Sequence, residues 1–352
     1  MLCHTEEKIQ KESAMSEPAI ECCNVWKVFG PNPVAHARTL KQEPSAGSDG
    51  HVVAVRDVTL RVKRGEMLVV MGLSGSGKST LVRCLSRLVD VTDGVIKIDG
   101  QDIGSLSERD LIALRREKMG MVFQSFGLLP HRTVLENVAF PLEMRGQSRS
   151  ARIARAREVL ALVGLAERED YYPRELSGGQ QQRVGIARSL AIEPDIWFLD
   201  EPFSALDPLI RREMQDEFLR LKQLSDRTIV FITHDFDEAL RLADRIAIMK
   251  NGAIEQCDTP DRIVLQPATD YVARFTQGID RARVVHAGAL CTPLNGSIVE
   301  GAPVASDVTI RALSRRLVAE TRALIPVADS QGHIIGSLNR TQALDLLLGE
   351  AQ

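Results

Sequence analysis

Short runs of apolar residues recur along most of this chain and are separated by helical patterns. The continuous apolar runs are MLVVMG, KMGMVFQ, DIWFLDE, TIVFITH and RIAIMK, and each has the length of a strand that is buried on both faces. Residues 55–62 instead alternate apolar and polar positions, which predicts a half-buried strand. Because helical stretches separate several of the strands, the pattern predicts an α/β fold with a mostly parallel sheet.

The pattern changes along the chain, and each change marks a predicted boundary. Residues 1–17 are predicted to be a disordered leader, and residues 18–280 carry the α/β pattern. Strand signals stop between about residues 125 and 176, where helical patterns predict an inserted helical subdomain. Residues 281–352 are predicted to form a small α+β unit, in which a turn at 329–332 joins two strands and a helix follows.

A second insertion precedes the half-buried strand. Residues 30–50 are rich in proline, glycine and serine. This composition is typical of turns and connections, so we expect a surface loop.

Composition and charge narrow the class of protein. The length of 352 residues exceeds what one core usually fills, so we expect two domains. No run approaches the ~20 apolar residues of a membrane helix, and the acidic N-terminus does not resemble a secretory signal. The six cysteines form no C-x-x-C pair, which is typical of reduced cysteines in a cytosolic protein. A net charge of −3 gives no general attraction to nucleic acid, and glutamates close behind the basic stretch Arg149–Arg157 predict a solvated helix face.

The first candidate site is the glycine-rich segment MGLSGSGKST. Its spacing, Gly72-x-x-x-x-Gly77-Lys78-Ser79, lies between a buried strand and an amphipathic helix, which is the context that a P-loop requires. Glycine lets the backbone wrap around phosphate oxygens, Lys78 can reach the β- and γ-phosphates, and the Ser79 hydroxyl can bind Mg²⁺. The predicted ATP-binding residues here are Gly72, Leu73, Ser74, Gly75, Ser76, Gly77, Lys78, Ser79 and Thr80.

Polar side chains at the ends of other buried strands complete this site. Asp200 ends the run IWFL and is predicted to bind Mg²⁺, and Glu201 is predicted to polarise a water for attack on the γ-phosphate. His234 ends the run TIVFIT and can orient that water, while Gln124 ends MGMVF with an amide able to contact both Mg²⁺ and water. The predicted metal ligands are therefore Ser79, Gln124 and Asp200, and the predicted catalytic residues are Lys78, Gln124, Glu201 and His234.

A second glycine-rich loop, LSGGQ at residues 176–180, precedes another helix. Helix N-terminal amides and the Ser177 hydroxyl can hold an anion, so the predicted nucleotide-binding residues here are Ser177, Gly178, Gly179 and Gln180. The chain already has a P-loop for its own nucleotide. We therefore expect the second loop to serve the γ-phosphate of another copy in a head-to-tail homodimer.

Taken together, residues from about 20 to 280 resemble the ATP-binding cassette (ABC) ATPases. The motifs occur in the family's order, as Gly72–Ser79 (Walker A), Gln124 (Q-loop), Leu176–Gln180 (signature), Asp200–Glu201 (Walker B and its glutamate), Ser204–Asp207 (D-loop) and His234 (H-loop). The resemblance implies ATP hydrolysis in a sandwich dimer, with Asp207 among the nucleotide-binding residues. It also implies an aromatic ring stacked on adenine, for which Phe29 is the best match and Trp26 the alternative.

A narrower resemblance is to the ATPase subunit of bacterial glycine betaine/choline importers. It implies a peripheral protein at the cytoplasmic face of the plasma membrane, with integral permease subunits and, indirectly, a periplasmic or extracellular substrate-binding protein as partners. Residues from about 325 to 348 resemble a CBS motif, which that subfamily often carries as a tandem pair. Here residues 281–352 hold one convincing copy, so 281–310 are either a degenerate second copy or a linker.

Two other functions remain open at this point. The ATPase motifs do not determine which solute is transported, so an importer of amino acids or another small solute would carry the same residues. A soluble ABC ATPase is the other alternative, although such proteins carry two cassettes or a long coiled-coil insertion. Quaternary amines are usually held by aromatic rings, and aromatic residues are only 4% of this chain, so we expect cargo specificity on partner chains.

Overall fold

The computed structural model describes residues 18–43, 50–123, 127–224, 227–294 and 299–349. The chain divides into two compact units, the first formed by residues 1–235 with 249–254 and the second by residues 236–248 with 255–352. The predicted disordered leader, residues 1–17, lies outside the described residues.

The first unit contains eight complete strands within the described residues. They are β1 (Pro18–Phe29), β2 (Val52–Lys63), β3 (Met67–Met71), β4 (Asp93–Ile98), β5 (Gln101–Asp102), β6 (Met119–Val122), β7 (Ile196–Asp200) and β8 (Thr228–Ile232). Its described helices are α1 (Pro33–Gln42), α2 (Lys78–Leu85), α3 (Glu108–Lys118), α4 (Val134–Met144), α5 (Arg149–Leu162), α6 (Gly178–Ala191) and α7 (Pro208–Leu224). Strands β9 (Arg245–Lys250) and β10 (Ala253–Asp258) are divided between the two units.

A parallel sheet positions the candidate site. Strands β3, β8, β7 and β6 lie in that order and pair in parallel. Every residue of β3, β7 and β8 is buried, because helices cover both faces of such sheets, and this confirms the prediction from the continuous apolar runs. The P-loop, the Asp200–Glu201 pair and His234 therefore all follow the carboxyl ends of neighbouring strands, where ligands bind to open α/β sheets.

The first unit also contains an antiparallel sheet and a helical insertion. Strands β2, β1, β4 and β5 form an antiparallel sheet, in which the alternating residues of β2 bury one face as predicted. Between residues 127 and 176 the described chain contains helices only: α4, α5 and the short 3-10 helices Ala166–Arg168 and Pro173–Glu175. The fold is thus the predicted α/β architecture with a helical insertion.

The prediction of a loop across residues 30–50 is wrong for its first half. Helix α1 begins with Pro33, whose fixed φ suits a first helical position, and it buries Ala37 and Leu40 one turn apart. These two side chains pack with Trp26 and Val28 of β1 in a small apolar cluster. The proline and glycine residues at the ends of the segment favoured the prediction of a loop, although the residues between them form a short amphipathic helix. Residues 44–49 lie outside the described part.

The second unit is an α+β arrangement. Its sheet has the order β11 (Cys291–Thr292), β14 (Ile334–Asn339), β13 (Leu324–Ala328), β12 (Val304–Ala305). Its helices are α8 (Phe236–Leu242), α9 (Pro260–Leu265), α10 (Asp270–Phe275), α11 (Arg281–Val284), α12 (Ser314–Ala319) and α13 (Arg340–Leu348), with the 3-10 helix Ala287–Leu290. The predicted strand, turn, strand and helix are all present, and the Asp329 carboxylate forms the turn by accepting the N–H groups of Gln331 and His333. Likeness to a CBS motif stays a prediction.

Two whole-chain expectations concern membranes and cysteines. Among the described residues, no helix combines the length and the apolar character needed to span a bilayer. The described cysteines at positions 22, 23, 84, 257 and 291 are all free thiols, as the sequence predicts.

Candidate active site

The backbone of the loop between β3 and α2 packs so closely against neighbouring backbone that two of its positions require glycine. The backbone of Gly77 has φ of +101°, and a Cβ atom at this position would lie 2.0 Å from the carbonyl oxygen of Ala54. A Cβ atom at Gly72 would lie 2.3 Å from the carbonyl oxygen of Met249. At Gly75, by contrast, φ is +78° and the added Cβ would meet nothing within 4 Å. The loop thus packs tightly at its base and is open at its tip.

This difference gives a testable prediction for Gly77→Ala. Forcing alanine into positive φ costs about 1–3 kcal/mol, and at Gly77 the clash with Ala54 adds to that cost. We expect Gly77→Ala to lower the unfolding temperature without nucleotide clearly more than Gly75→Ala, and to weaken ATP binding. Gly75→Ala is the matched control, since it carries the backbone strain without the clash. Equal unfolding temperatures for the two variants would contradict this account.

Lys78 lies within the loop in a position suited to phosphate. Its Nζ donates to the carbonyl oxygens of Gly72 and Leu73 at 2.8 and 3.0 Å. Burial lowers the pKa of Lys78, while the carboxylates of Glu201 and Asp200 act in the opposite direction. The buried hydroxyl of Ser76 in the same loop has no hydrogen-bond partner among the described residues. A buried ammonium and an unpartnered hydroxyl beside a helix N-terminus fit the phosphates of a nucleotide.

The start of α2 and the end of β7 bring two oxygen ligands together. The Ser79 hydroxyl donates to Asp200 Oδ1 at 3.1 Å. Burial raises the pKa of Asp200, and the hydrogen bond from Ser79 partly offsets that effect. A hydroxyl and a carboxylate in contact are the hard oxygen ligands that Mg²⁺ takes, so these residues fit the predicted ion. The third predicted ligand, Gln124, lies outside the described residues, and its role stays a prediction.

Glu201 and His234 meet at the ends of adjacent strands. His234 Nδ1 lies 3.3 Å from Glu201 Oε1, with the imidazole largely exposed and the carboxylate mostly covered. The backbone of Glu201 has φ of +49°, a left-handed conformation that residues other than glycine rarely adopt. A carboxylate held beside an imidazole can accept a proton from a water while the imidazole orients that water.

The second glycine-rich loop forms the capped start of α6. Ser177 is the N-cap, and its hydroxyl accepts the N–H of Gln180 while the Gln180 side chain accepts the N–H of Ser177. Ser177 and Gly178 are exposed, so another molecule can reach the Ser177 hydroxyl and the first amides of the helix. Asp207 has a related position: it is exposed, and its Oδ1 accepts the N–H of Ile210 at the start of α7.

The two aromatic candidates for adenine stacking differ in exposure. Phe29, at the end of β1, is 44% exposed, with Lys27 Nζ 4.8 Å from its ring centre. Trp26 is 3% exposed because α1 covers it. Of the two, only Phe29 offers a ring face to a nucleotide.

Gln182, the third glutamine of LSGGQQQR, is not among the site residues predicted from the sequence. Its side chain is almost fully buried and contacts the backbone of Glu201 and the turn after it. The run of glutamines was visible, but a contact between residues 19 positions apart has no local signature.

Comparisons with known proteins agree with this geometry. Residues 55–204 match the family described as ABC transporter. The chain is 69% identical to the trimethylamine N-oxide transport system ATP-binding protein TmoW of Ruegeria pomeroyi, over 95% of this chain and 98% of that protein. It is 48% identical to the glycine betaine/proline betaine transport system ATP-binding protein ProV of Escherichia coli, over 81% of this chain and 72% of that protein.

A solved structure gives the same result for the fold. The dimeric structure of MJ0796, described as a bacterial ABC transporter cassette, is 35% identical, with a TM-score of 0.61 over 68% of this chain and 98% of that one. A second structure of the same cassette is a post-hydrolysis state bound to ADP and phosphate. The P-loop, the strand-end carboxylates and the signature loop thus have their counterpart in a known class of ATPase, and the chain belongs to the family of ABC transporter ATP-binding subunits.

Proposed function

We propose that this chain is the ATP-hydrolysing subunit of an importer for methylated-amine osmolytes, with trimethylamine N-oxide as the first candidate cargo. The observation that carries the proposal is the 69% identity to TmoW across 95% of the chain. Identity to the glycine betaine protein ProV is lower, at 48% over 81% of the chain. Trimethylamine N-oxide and glycine betaine both carry a trimethylated nitrogen, so the sequence-based choice of a betaine or choline cargo and the present proposal name one chemical class.

The proposed reaction is hydrolysis of ATP to ADP and phosphate. The amides of the P-loop and the Lys78 ammonium bind the phosphates, and Ser79, Asp200 and Gln124 are the residues that would hold Mg²⁺. When bound, the ion neutralises charge on the phosphate oxygens. Glu201 then accepts the proton of the attacking water, and His234, 3.3 Å from its carboxylate, orients that water.

The proposed active assembly is a homodimer bound to permease subunits. Each chain would place the exposed start of α6, with Ser177 and Gly178, at the nucleotide held by the P-loop of its partner, and Asp207 would lie at the same interface. ATP binding would close this dimer, and hydrolysis would open it. The chain would lie at the cytoplasmic face of the membrane, and a substrate-binding protein would deliver cargo from the other side.

The cargo itself is proposed to bind elsewhere. Tyr171 and Tyr172 are adjacent aromatic residues, but a cation of the same chain already lies near each ring and would repel a second cation. Arg168 lies 4.6 Å from the ring centre of Tyr171, and Arg174 lies 5.4 Å from that of Tyr172. This supports recognition of the methylated amine by partner chains.

Uptake in a strain that lacks the gene tests the proposal. We expect loss of radiolabelled trimethylamine N-oxide uptake, restored by the wild-type gene and not by Glu201→Gln. Uptake of glycine betaine, choline and an amino acid is measured in parallel. Loss of one of these with normal trimethylamine N-oxide uptake would overturn the cargo, and unchanged uptake of all would overturn the importer role.

A further inference from the structure

The buried side chain of Gln182 joins two functional parts of the same subunit. Gln182 lies in α6, one turn after the exposed signature residues, and is 1% exposed. Its Nε2 donates to the carbonyl oxygen of Glu201 at 3.1 Å, and its Oε1 accepts the N–H of Ala205 at 2.9 Å. The amide therefore contacts both the backbone of the proposed base and the turn that follows it.

The Glu201 backbone depends on this kind of support. Its φ of +49° is unfavourable for a residue with a side chain, so surrounding contacts must hold it. Its N–H donates to the carbonyl oxygen of Ile232 at 3.1 Å, which ties it to the end of β8. Its carbonyl oxygen accepts from Gln182 Nε2 and from both the hydroxyl and the N–H of Ser204. Of these three donors, only Gln182 comes from outside the turn.

The opposite side of the turn is held by α7. Arg211 Nη2 donates to the carbonyl oxygen of Leu206 at 3.2 Å, and its Nη1 lies 3.6 Å from Asp235 Oδ2, next to His234. The turn from Glu201 to Asp207 is thus held between α6 and α7. A displacement of α6 would reach the backbone of Glu201 through one buried amide.

We propose that Gln182 is a positioning residue that sets the orientation of the Glu201 carboxylate according to the position of α6, the helix that begins at the signature loop. The inference rests on the proposed roles of Glu201 and of the signature loop. In the proposed dimer each nucleotide site is composite: it combines the P-loop of one chain with the signature loop of the other. Because the signature loop lies at the partner's nucleotide, Gln182 connects that site to Glu201, the base of the site in its own chain. It contacts no nucleotide and acts only through the Glu201 backbone.

The test replaces Gln182 by methionine, which has similar length but makes none of the three hydrogen bonds of this amide, to Glu201, to Ala205 and, at 3.4 Å, to the Ser204 hydroxyl. We expect kcat for ATP hydrolysis by the purified full chain to fall about 10- to 100-fold, because a small displacement of a reacting group has effects of this size. The KM for ATP should change less than about twofold, since the P-loop is untouched. Gln182→Glu is a second variant, which keeps the oxygen that accepts from Ala205 and loses the donor to Glu201, and it should show the same pattern.

Ser189→Ala is the matched control for stability. Ser189 is buried on the same helix, and its hydroxyl accepts the indole N–H of Trp197 on β7, at the other end of that strand from Glu201. Its loss removes one buried hydrogen bond between α6 and β7. We expect a similar decrease in unfolding temperature with kcat close to wild type.

A double-mutant cycle separates positioning from a general structural role. In the Glu201→Gln background, Gln182→Met should lower single-turnover phosphate release by less than about twofold, because the group it positions is already lost. An equal fractional loss in both backgrounds, or a kcat within twofold of wild type for Gln182→Met, would overturn the inference. If Glu201→Gln itself keeps normal turnover, the proposed role of Glu201 fails instead.

Discussion

Replacement of Glu201 by glutamine is expected to lower ATP turnover by about 10²- to 10⁴-fold, the contribution typical of a positioned general base. The amide is nearly isosteric with the carboxylate and leaves the P-loop, Lys78 and the Ser79–Asp200 contact unchanged. ATP binding should therefore remain. In the proposed cycle the closed dimer opens only after hydrolysis, so the variant should accumulate as a nucleotide-bound dimer.

Three measurements check this expectation: phosphate release, nucleotide affinity and elution volume with ATP. Glu193→Gln is a close control, because Glu193 also has positive φ, at +47° against +49°, and makes the same change of charge. Its carboxylate is 58% exposed and pairs with Arg155, away from the P-loop residues. Turnover of Glu201→Gln within twofold of Glu193→Gln would remove Glu201 from the role of base.

The placement of this carboxylate could be predicted from sequence because the signal is local. Strand β7 consists of four apolar residues and Asp200, and Glu201 follows directly. Parallel strands of similar length end at one edge of a sheet, so the polar residues after β3, β7 and β8 are brought together by the topology alone.

Features that depend on tertiary contacts could not be predicted in this way. Helix α1 was not predicted because proline and glycine residues surround it, and its buried side chains pack with Trp26 in a small apolar cluster. That packing also decides between the two aromatic candidates, because it buries Trp26. Gln182 was missed for the same reason, since its partners lie 19 to 23 residues away on another element.

The pKa shifts in the site could not be predicted from the sequence either, because they depend on burial. Burial lowers the pKa of Lys78 and raises that of Asp200, so each group is shifted towards its neutral form. Nucleotide phosphates would favour the charged form of Lys78, and a metal ion would favour the charged form of Asp200.

A mixture of two inactive variants, Lys78→Ala and Ser177→Arg, is expected to regain ATPase activity. Each homodimer lacks an essential group at both composite sites, whereas a heterodimer has one site with an intact Lys78 and an intact Ser177. Because Ser177 is exposed, the fold can accommodate an arginine there at about the cost of a lost N-cap, ~1 kcal/mol. The bulk of the arginine would fill the predicted anion site at the start of α6. With random pairing and independent sites, recovery should approach about one quarter of wild type.

The control for this experiment mixes Lys78→Ala with the double variant Lys78→Ala/Ser177→Arg, because no pairing of these chains contains a complete site. ATP-dependent dimerisation is measured beside turnover, so that a heterodimer whose two sites must act together is still detected by its assembly. If one chain formed the whole site, no mixture could restore either property, since each subunit carries its own defect. Failure of both turnover and assembly in the test mixture would therefore place Ser177 in the site of its own chain and remove the reason for a head-to-tail dimer.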